Sequence, residues 1–317
     1  MNQNDSTDRS ATTQRTISII GGLAPNEGYN LTALPDVRFL RSNRALDRAP
    51  VLYDPGIVIV CQGRKRGFLG SDVYLYDANH YLVVSVPIPF SMETDASERE
   101  PLLAIYFRLD LNVAADLLLQ LQESGSPVVA KPKGMVSTLM DPRLLESVLR
   151  FLEVMSSPIE AAILGPALVR EIYFRVFVGE QGGTMRAALA KQGHFGKIAR
   201  ALRKIHIAYT DDLDVERLAK EAKMSVPTFH AHFKSVTNTS PIQYLKSTRL
   251  HQARLLMVRS DITATLASSK VGYESASQFN REFKRMFGKT PIEEVDRMKR
   301  TFAYPAPAPS SIYIASH

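Results

Sequence analysis

Two stretches some fifty residues apart repeat one pattern, and that repeat constrains the C-terminal third more than any other feature of the chain. In 213–234, the acidic cluster Asp211, Asp212 and Asp214 suits a helix start, and Val215, Leu218, Ala219 and Ala222 then share one apolar face. Lys223-Met224-Ser225 breaks that helix, with Ser225 placed to cap the next, on which Phe229 and Phe233 stand four apart. In 262–285 the order returns: Asp261 as a cap, Ile262, Leu266 and Ala267 on one face, and a turn at Val271-Gly272-Tyr273-Glu274. Ser275 or Ser277 then opens a helix bearing Phe279, Phe283 and Phe287 at the same spacing. Gly272 suits the positive backbone angle of a tight interhelical turn, and small Ala219 lets two helices cross closely with Met224 at the corner. Each stretch is expected to be a helix-turn-helix unit. Between them, 241–258 reads as a helix long enough to hold the units about one turn of DNA, roughly 34 Å, apart.

The Phe residues read as core. The outward positions are Pro227, His230, Ala231 and Lys234 in the first unit and Ala276, Ser277, Asn280, Arg281, Lys284 and Arg285 in the second. Short side chains mixed with cations suit a groove-reading face. Arg281 is the sharpest candidate, able to meet guanine with two hydrogen bonds; its alternative is a surface ion pair with Glu282 or Glu274.

Charge supports a polyanion partner. Between Gly196 and Arg300 there are 20 Lys and Arg against 11 Asp and Glu, while the remaining 19 against 21 leave the rest slightly acidic, so the net +7 belongs to the C-terminal third. No apolar run approaches the roughly 20 residues that span a bilayer, which argues for a cytoplasmic protein. The single cysteine, Cys61, excludes an internal disulfide and a cysteine zinc cage. It sits in the apolar run 57–61, where a buried hydrophobe is the commoner role than a redox sensor.

The N-terminal half has a different texture. Residues 1–16 are polar and read as a disordered leader. β-rich segments follow at 56–61, 67–69, 73–76, 80–86 and 102–107, punctuated by Asp54-Pro55-Gly56, Gly70-Ser71-Asp72, Asp77-Ala78-Asn79, Pro87 and Pro89. Helical periodicity takes over at 112–123, 142–155 and 158–178, and those helices pack on the barrel or carry a dimer contact. The expected organisation is α+β: a regulatory and dimerisation domain over 17–180, built as a small β-barrel with flanking helices, and an all-α DNA-binding domain over 197–300 whose two helix-turn-helix units are joined by a linker helix. A glycine-rich connection spans 181–196 and a flexible tail 301–317. Candidate effector contacts in the barrel are Arg64, Tyr81, Tyr106 and Arg108, although strand alternation alone does not say which face is inward.

The segment Val271-Gly272-Tyr273-Glu274-Ser275-Ala276-Ser277-Gln278-Phe279-Asn280-Arg281-Glu282-Phe283-Lys284-Arg285, followed by Phe287-Gly288 and Pro291, resembles the signature of the AraC/XylS family. Arg249-Leu250, Ala253-Arg254 and Leu256 are similar to that family's linker helix. Tyr53-Asp54-Pro55, Gln62-Gly63 and the run 81–87 resemble its cupin-like N-terminal domain. The resemblance implies activation, less often repression, at promoter DNA, a small effector at the N-terminal domain, a homodimer, and RNA polymerase as a further partner. It places base reading on Pro227, His230 and Ala231 and on Ala276, Ser277, Asn280 and Arg281. Pro227 and Ala231 depart from the pattern, since neither side chain donates a hydrogen bond, and Asn280 stands where a small hydroxyl residue is commoner.

Other classes fit less well. The scattered histidines His80, His194, His206, His230, His232 and His251 form no metal-ligand spacing, so neither a metal nor another cofactor is expected. No nucleophile elbow or phosphate-binding loop is present, and no catalytic residue is assigned. The alternatives are a cupin-like enzyme with a DNA-binding appendage and a nonspecific architectural DNA binder.

Overall fold

The computed structural model describes residues 3–123, 132–190 and 193–301. Helix α1 (Gln3–Leu23) precedes nine strands: β1 (Gly28–Leu31), β2 (Val37–Ser42), β3 (Leu46–Tyr53), β4 (Gly56–Gln62), β5 (Arg64–Leu69), β6 (Asp72–Asp77), β7 (His80–Val84), β8 (Ile88–Asp95) and β9 (Leu102–Arg108). Then come α2 (Leu111–Glu123), β10 (Met135–Leu139), α3 (Pro142–Met155) and α4 (Pro158–Val178). The strands form one antiparallel sheet in the order β1-β2-β9-β4-β7-β6-β5-β8-β3, with β10 beside β7. The path begins at β1 and ends at β3, so the sheet curls into a half-barrel.

The register settles the two faces. Along β4, β7 and β9 the odd residues Ile57, Ile59, Tyr81, Val83, Leu103, Ile105 and Phe107 pack under the helices, against Phe151, Val176 and Phe177 among others. The even residues Val58, Val60, Leu82, Val84, Ala104 and Tyr106 fill the concave interior with Tyr53, Tyr76, Phe90 and Met92. Both faces are buried, which is why these strands read as near-continuous apolar runs. Fully burying one such aliphatic or aromatic side chain contributes about 1.5–3 kcal/mol.

Two expectations are corrected. From residue 3 onward the leader placed over 1–16 belongs to α1, whose later turns hold it: Ile17 and Ile19 pack against the outer core and Thr16 and Ile20 are buried there. One apolar turn anchors an otherwise polar helix. The connection placed over 181–196 is largely helical, as α5 (Gly182–Leu189) and the start of α6 (Gly193–Ala208). Two of its glycines pack closely: a Cβ on Gly182 would lie 2.2 Å from the carbonyl of Phe177, and one on Gly196 2.0 Å from that of Ala190. The tail placed over 301–317 lies, apart from Thr301, outside the described residues.

The C-terminal part is helical throughout: α7 (Val215–Glu221), α8 (Val226–Thr237), α9 (Pro241–Ser260), α10 (Ala264–Lys270), α11 (Ala276–Phe287) and α12 (Pro291–Thr301). It has two cores. Phe229, Phe233 and Tyr244 join α6 and α7 in one, and Phe279, Phe283, Ala267 and Leu250 form the other. Hydrogen bonds tie this part to the half-barrel: Tyr244 Oη donates to the Pro87 carbonyl at 2.6 Å, Asn238 to the Leu69 carbonyl at 3.2 Å, and Arg254 to the Pro50 carbonyl at 3.2 Å.

Candidate nucleic-acid interface

The two units are copies at the level of individual hydrogen bonds. In the first, Ala222 N donates to Leu218 O, Lys223 N to Lys220 O and Met224 N to Ala219 O; in the second, Val271, Gly272 and Tyr273 repeat this with Ala267, Ser269 and Ser268. Lys223 and Gly272, which fill the same place in the turn, both have positive φ, 52° and 82°. The next helix in each starts on a serine cap, Ser225 accepting from Thr228 N and Ser275 from Gln278 N, and ends on a left-handed residue, Asn238 or Gly288. The ring pairs beneath match as well, Phe229 and Phe233 at 5.4 Å and Phe279 and Phe283 at 5.5 Å. One expectation shifts: Thr263, not Asp261, caps α10, while Asp261 closes α9 at φ 51° and meets Lys299.

With Phe229, Phe233, Phe279 and Phe283 buried, the opposite faces of α8 and α11 are open. Pro227, His230, Ala231 and Lys234 are exposed on α8. Ser277, Asn280, Arg281, Lys284 and Arg285 are exposed on α11, with Ala276 half-buried at its first turn. His232 points elsewhere from His230, its ring stacked on His194 at 4.0 Å, so α6 and α8 are pinned by imidazole contact. The ion pair weighed for Arg281 is not formed with Glu282. That carboxylate instead accepts from Lys246 at 2.7 Å, Tyr273 at 2.8 Å and Gln278 at 3.2 Å. Partial burial pushes Glu282 upward, yet these donors hold it below the usual carboxylate range. Arg281 is left pointing outward.

Helix α9 fixes one unit against the other. Lys246 pairs it to α11 through Glu282, and Arg249 donates to the carbonyls of Tyr209 at 2.7 Å and Asp211 at 2.9 Å, just before α7. The turn glycine of the second unit sits against this link: a Cβ on Gly272 would lie 2.8 Å from the Thr210 carbonyl and 3.2 Å from the Arg249 guanidinium.

The effector candidates are placed less coherently. Tyr106 and Arg108 share the concave face at one end, where Tyr106 Oη donates to the Asp54 carbonyl at 3.3 Å and Arg108 Nε to Asp36 at 2.6 Å. Tyr81, whose facing strand alternation leaves open, is turned by its odd position under the helices, where burial pushes its hydroxyl up to about 12. Arg64 is exposed at the rim, in register with Asp77 and Asp95. The concave interior is filled. Beside Tyr53 and Tyr106 there remains a cavity of about 10 Å³, no larger than one water. Lys65 is also enclosed there, 1 % exposed, and burial holds its amine well below the usual lysine range. Nothing in the local sequence Arg64-Lys65-Arg66 distinguishes this middle cation; only the strand register does. Arg254 was likewise read as part of the linker helix alone, its contact with the half-barrel being 204 residues distant.

Comparison with known proteins gives the same picture. Residues 33–184 match the family model described as AraC-type transcriptional regulator N-terminus, and residues 218–297 the model described as helix-turn-helix domain. The chain is 34 % identical over 95 residues to the HTH-type transcriptional regulator AlkR of Acinetobacter baylyi, covering 30 % of this chain and 31 % of that one. It is 36 % identical over 86 residues to the RCS-specific HTH-type transcriptional activator RclR of Escherichia coli, covering 27 % and 30 %. The matches thus span about a third of these relatives' length. The fold is similar to that of ToxT from Vibrio cholerae bound to an unsaturated fatty acid, with a TM-score of 0.55 at 12 % identity over 81 % of this chain and 94 % of that one. With an AraC-type N-terminal match over the half-barrel and a helix-turn-helix match over the paired units, the chain belongs to the AraC/XylS family of transcription regulators.

Proposed function

We propose that the protein is a sequence-specific DNA-binding transcription regulator, not an enzyme, whose two recognition helices read neighbouring major-groove segments and whose N-terminal domain responds to a small molecule. The observation that carries this reading is the matched pair of outward faces on α8 and α11, set on duplicate scaffolds and locked through Lys246, Glu282 and Arg249. On α11, Arg281 and Asn280 are the base-reading pair, for guanine and adenine, while Lys284 and Arg285 hold phosphates. Ala276 and Ser277 allow the helix N-terminus to approach the bases. On α8, His230 is the polar reader, Pro227 and Ala231 meet thymine methyls, and Lys234 holds phosphate.

Self-association is the second element of the reading. Helix α4 presents Ile159, Ile163, Phe174 and Val178 to solvent on one stripe, the first two 74 % and 69 % exposed. Exposed apolar residues at both ends of one helix face suit pairing with the same helix of a second copy. The effector reading draws support from the AraC-type match and from the ligand-bound ToxT fold neighbour.

Selection of bound duplexes from a random pool by the purified full chain tests the DNA reading. A motif of two boxes about one helical turn apart supports it; recovery of sequences without a motif, with affinity set by salt and length alone, contradicts it.

A further inference from the structure

The two copied units differ in what surrounds them. At the matching ends of the recognition helices, Asn238 closes α8 and Gly288 closes α11, both in the left-handed conformation. A Cβ on Gly288 would find nothing within 4 Å, so that end of α11 faces open space. Asn238 does not: its side chain donates to the Leu69 carbonyl at 3.2 Å, where β5 turns into β6. A Cβ on Gly70 in that turn would lie 1.8 Å from the same amide nitrogen.

Two further segments of the half-barrel close on the same place. Pro87 has no N–H and favours extended backbone at Val86, which ends the ladder of β7. Val86 is 1 % exposed and, among the described residues, is the one half-barrel member of the core that holds Phe229, Phe233 and Val236 of α8. Its neighbour Ser85 is fixed by hydrogen bonds, from N to the Gly134 carbonyl at 2.9 Å and from Oγ to the Lys133 carbonyl at 2.8 Å. Gly134 lies so near α8 that a Cβ there would be 2.6 Å from the Val236 carbonyl. With Pro87 accepting from Tyr244, the segments 69–70, 85–87 and 133–134 form a socket around the last turn of α8 and the first of α9. The second unit's core contains no half-barrel residue among those described, and that unit meets β3 where Arg254 of α9 donates to Pro50. The socket leaves Pro227, His230, Ala231 and Lys234 exposed, so it braces α8 without covering its outward face.

We propose that Val86 and Asn238 are positioning residues for DNA recognition: through them the half-barrel sets the orientation of α8, and so the reading of one box, while α9 orients α11. This rests on the regulator reading above and deepens it, because it names the unit on which a change in the half-barrel acts first. Neither residue touches a base. Each acts by holding the end of α8 from which His230 and Lys234 are presented.

Duplex selection by the full chain tests this in three variants. Asn238→Gly keeps the left-handed end of α8 and removes only the amide that reaches Leu69. Val86→Ala removes methyl groups from the first unit's core. Gly288→Asn puts the same residue at the copied place on α11, where no half-barrel group is near. In the first two variants, preference is expected to fall about threefold or more within the first unit's box, the one that Arg281→Ala leaves unchanged; that factor is about what one lost hydrogen bond is worth. The other box stays unchanged, and Gly288→Asn behaves as the parent. An even loss across both boxes, or no change in either, overturns the proposal, since a merely stabilising role does not single out one box. Hydrogen exchange separates this from the regulator reading. If the parent selects no motif, the regulator reading falls, and α8 amides that exchange about threefold or more faster in Asn238→Gly, with α11 unchanged, still show that the socket holds α8. A two-box motif from the parent beside unchanged α8 exchange removes the socket and keeps the regulator.

Discussion

Tyr244 Oη donates a 2.6 Å hydrogen bond to the carbonyl of Pro87, and His206 Nε2 donates in turn to Tyr244 at 2.5 Å. The chain runs from α6 through α9 to the connection between β7 and β8, all of it buried. It joins α6, the linker helix α9 and the half-barrel. Tyr244→Phe keeps the ring packing against Phe233 but leaves the His206 N–H and the Pro87 carbonyl unmet. The expected cost is about 1–3 kcal/mol, read as a lower urea midpoint with an unchanged slope. A midpoint within error of the parent would show that this bond contributes nothing to docking.

The same interior makes stability depend on pH. Burial pushes His206 down to about 3, and burial with the Arg254 guanidinium beside it holds His251 well below the ordinary histidine value. Arg254 donates to His251 Nδ1 at 3.1 Å, which requires that nitrogen to be unprotonated. A depressed folded-state value means the unfolded chain takes up the proton first. The contribution is thus complete above about 6.5 and is lost as pH falls toward 3. Each histidine adds up to about 1.4 kcal/mol per pH unit to the slope in that window. His206→Gln, which still donates to Tyr244, should remove one such share; an unchanged slope between pH 6 and 4 would contradict the assignment.

The paired turns allow an internal comparison. Lys223 adopts at φ 52° the conformation that Gly272 adopts at 82°. Lys223→Gly should be neutral or stabilising by up to about 1 kcal/mol, since a residue with a Cβ pays for this conformation. Gly272→Ala should cost about 1–3 kcal/mol, because its Cβ meets the Thr210 carbonyl as well. Thermal unfolding should show Gly272→Ala destabilised and Lys223→Gly not, and destabilisation of both would contradict the comparison.

For self-association, Ile163→Asp places a charge in the exposed stripe of α4 without touching the core. On the proposed pairing, sedimentation should show the parent as a dimer and the mutant as a monomer at the same concentration. A mutant that dimerises like the parent would move the interface elsewhere.

Much of this was legible in the sequence because it is local. The caps Ser225 and Ser275, the Phe spacing and the glycine at 272 are set within a dozen residues, and the structure realises each. Helices α3 and α4 occupy the spans expected from periodicity. The misses share one cause, which is dependence on distant partners. Pro89 read as punctuation but lies within β8, opposite Leu52 of β3, and Pro50 is tolerated because β3 is an edge strand. The inward or outward sense of Tyr81 and Lys65, and the entry of Val86 into the first unit's core, follow from tertiary register alone.

The most direct test of the central claim is the base preference of the full chain measured before and after Arg281→Ala at one fixed salt concentration. The account predicts that preference relaxes at a single position in one box, by about 1–3 kcal/mol of discrimination, while the other box is unchanged. An even loss of affinity across all sequences, with no position relaxed, would mean that Arg281 holds phosphate and that α11 does not read bases through it.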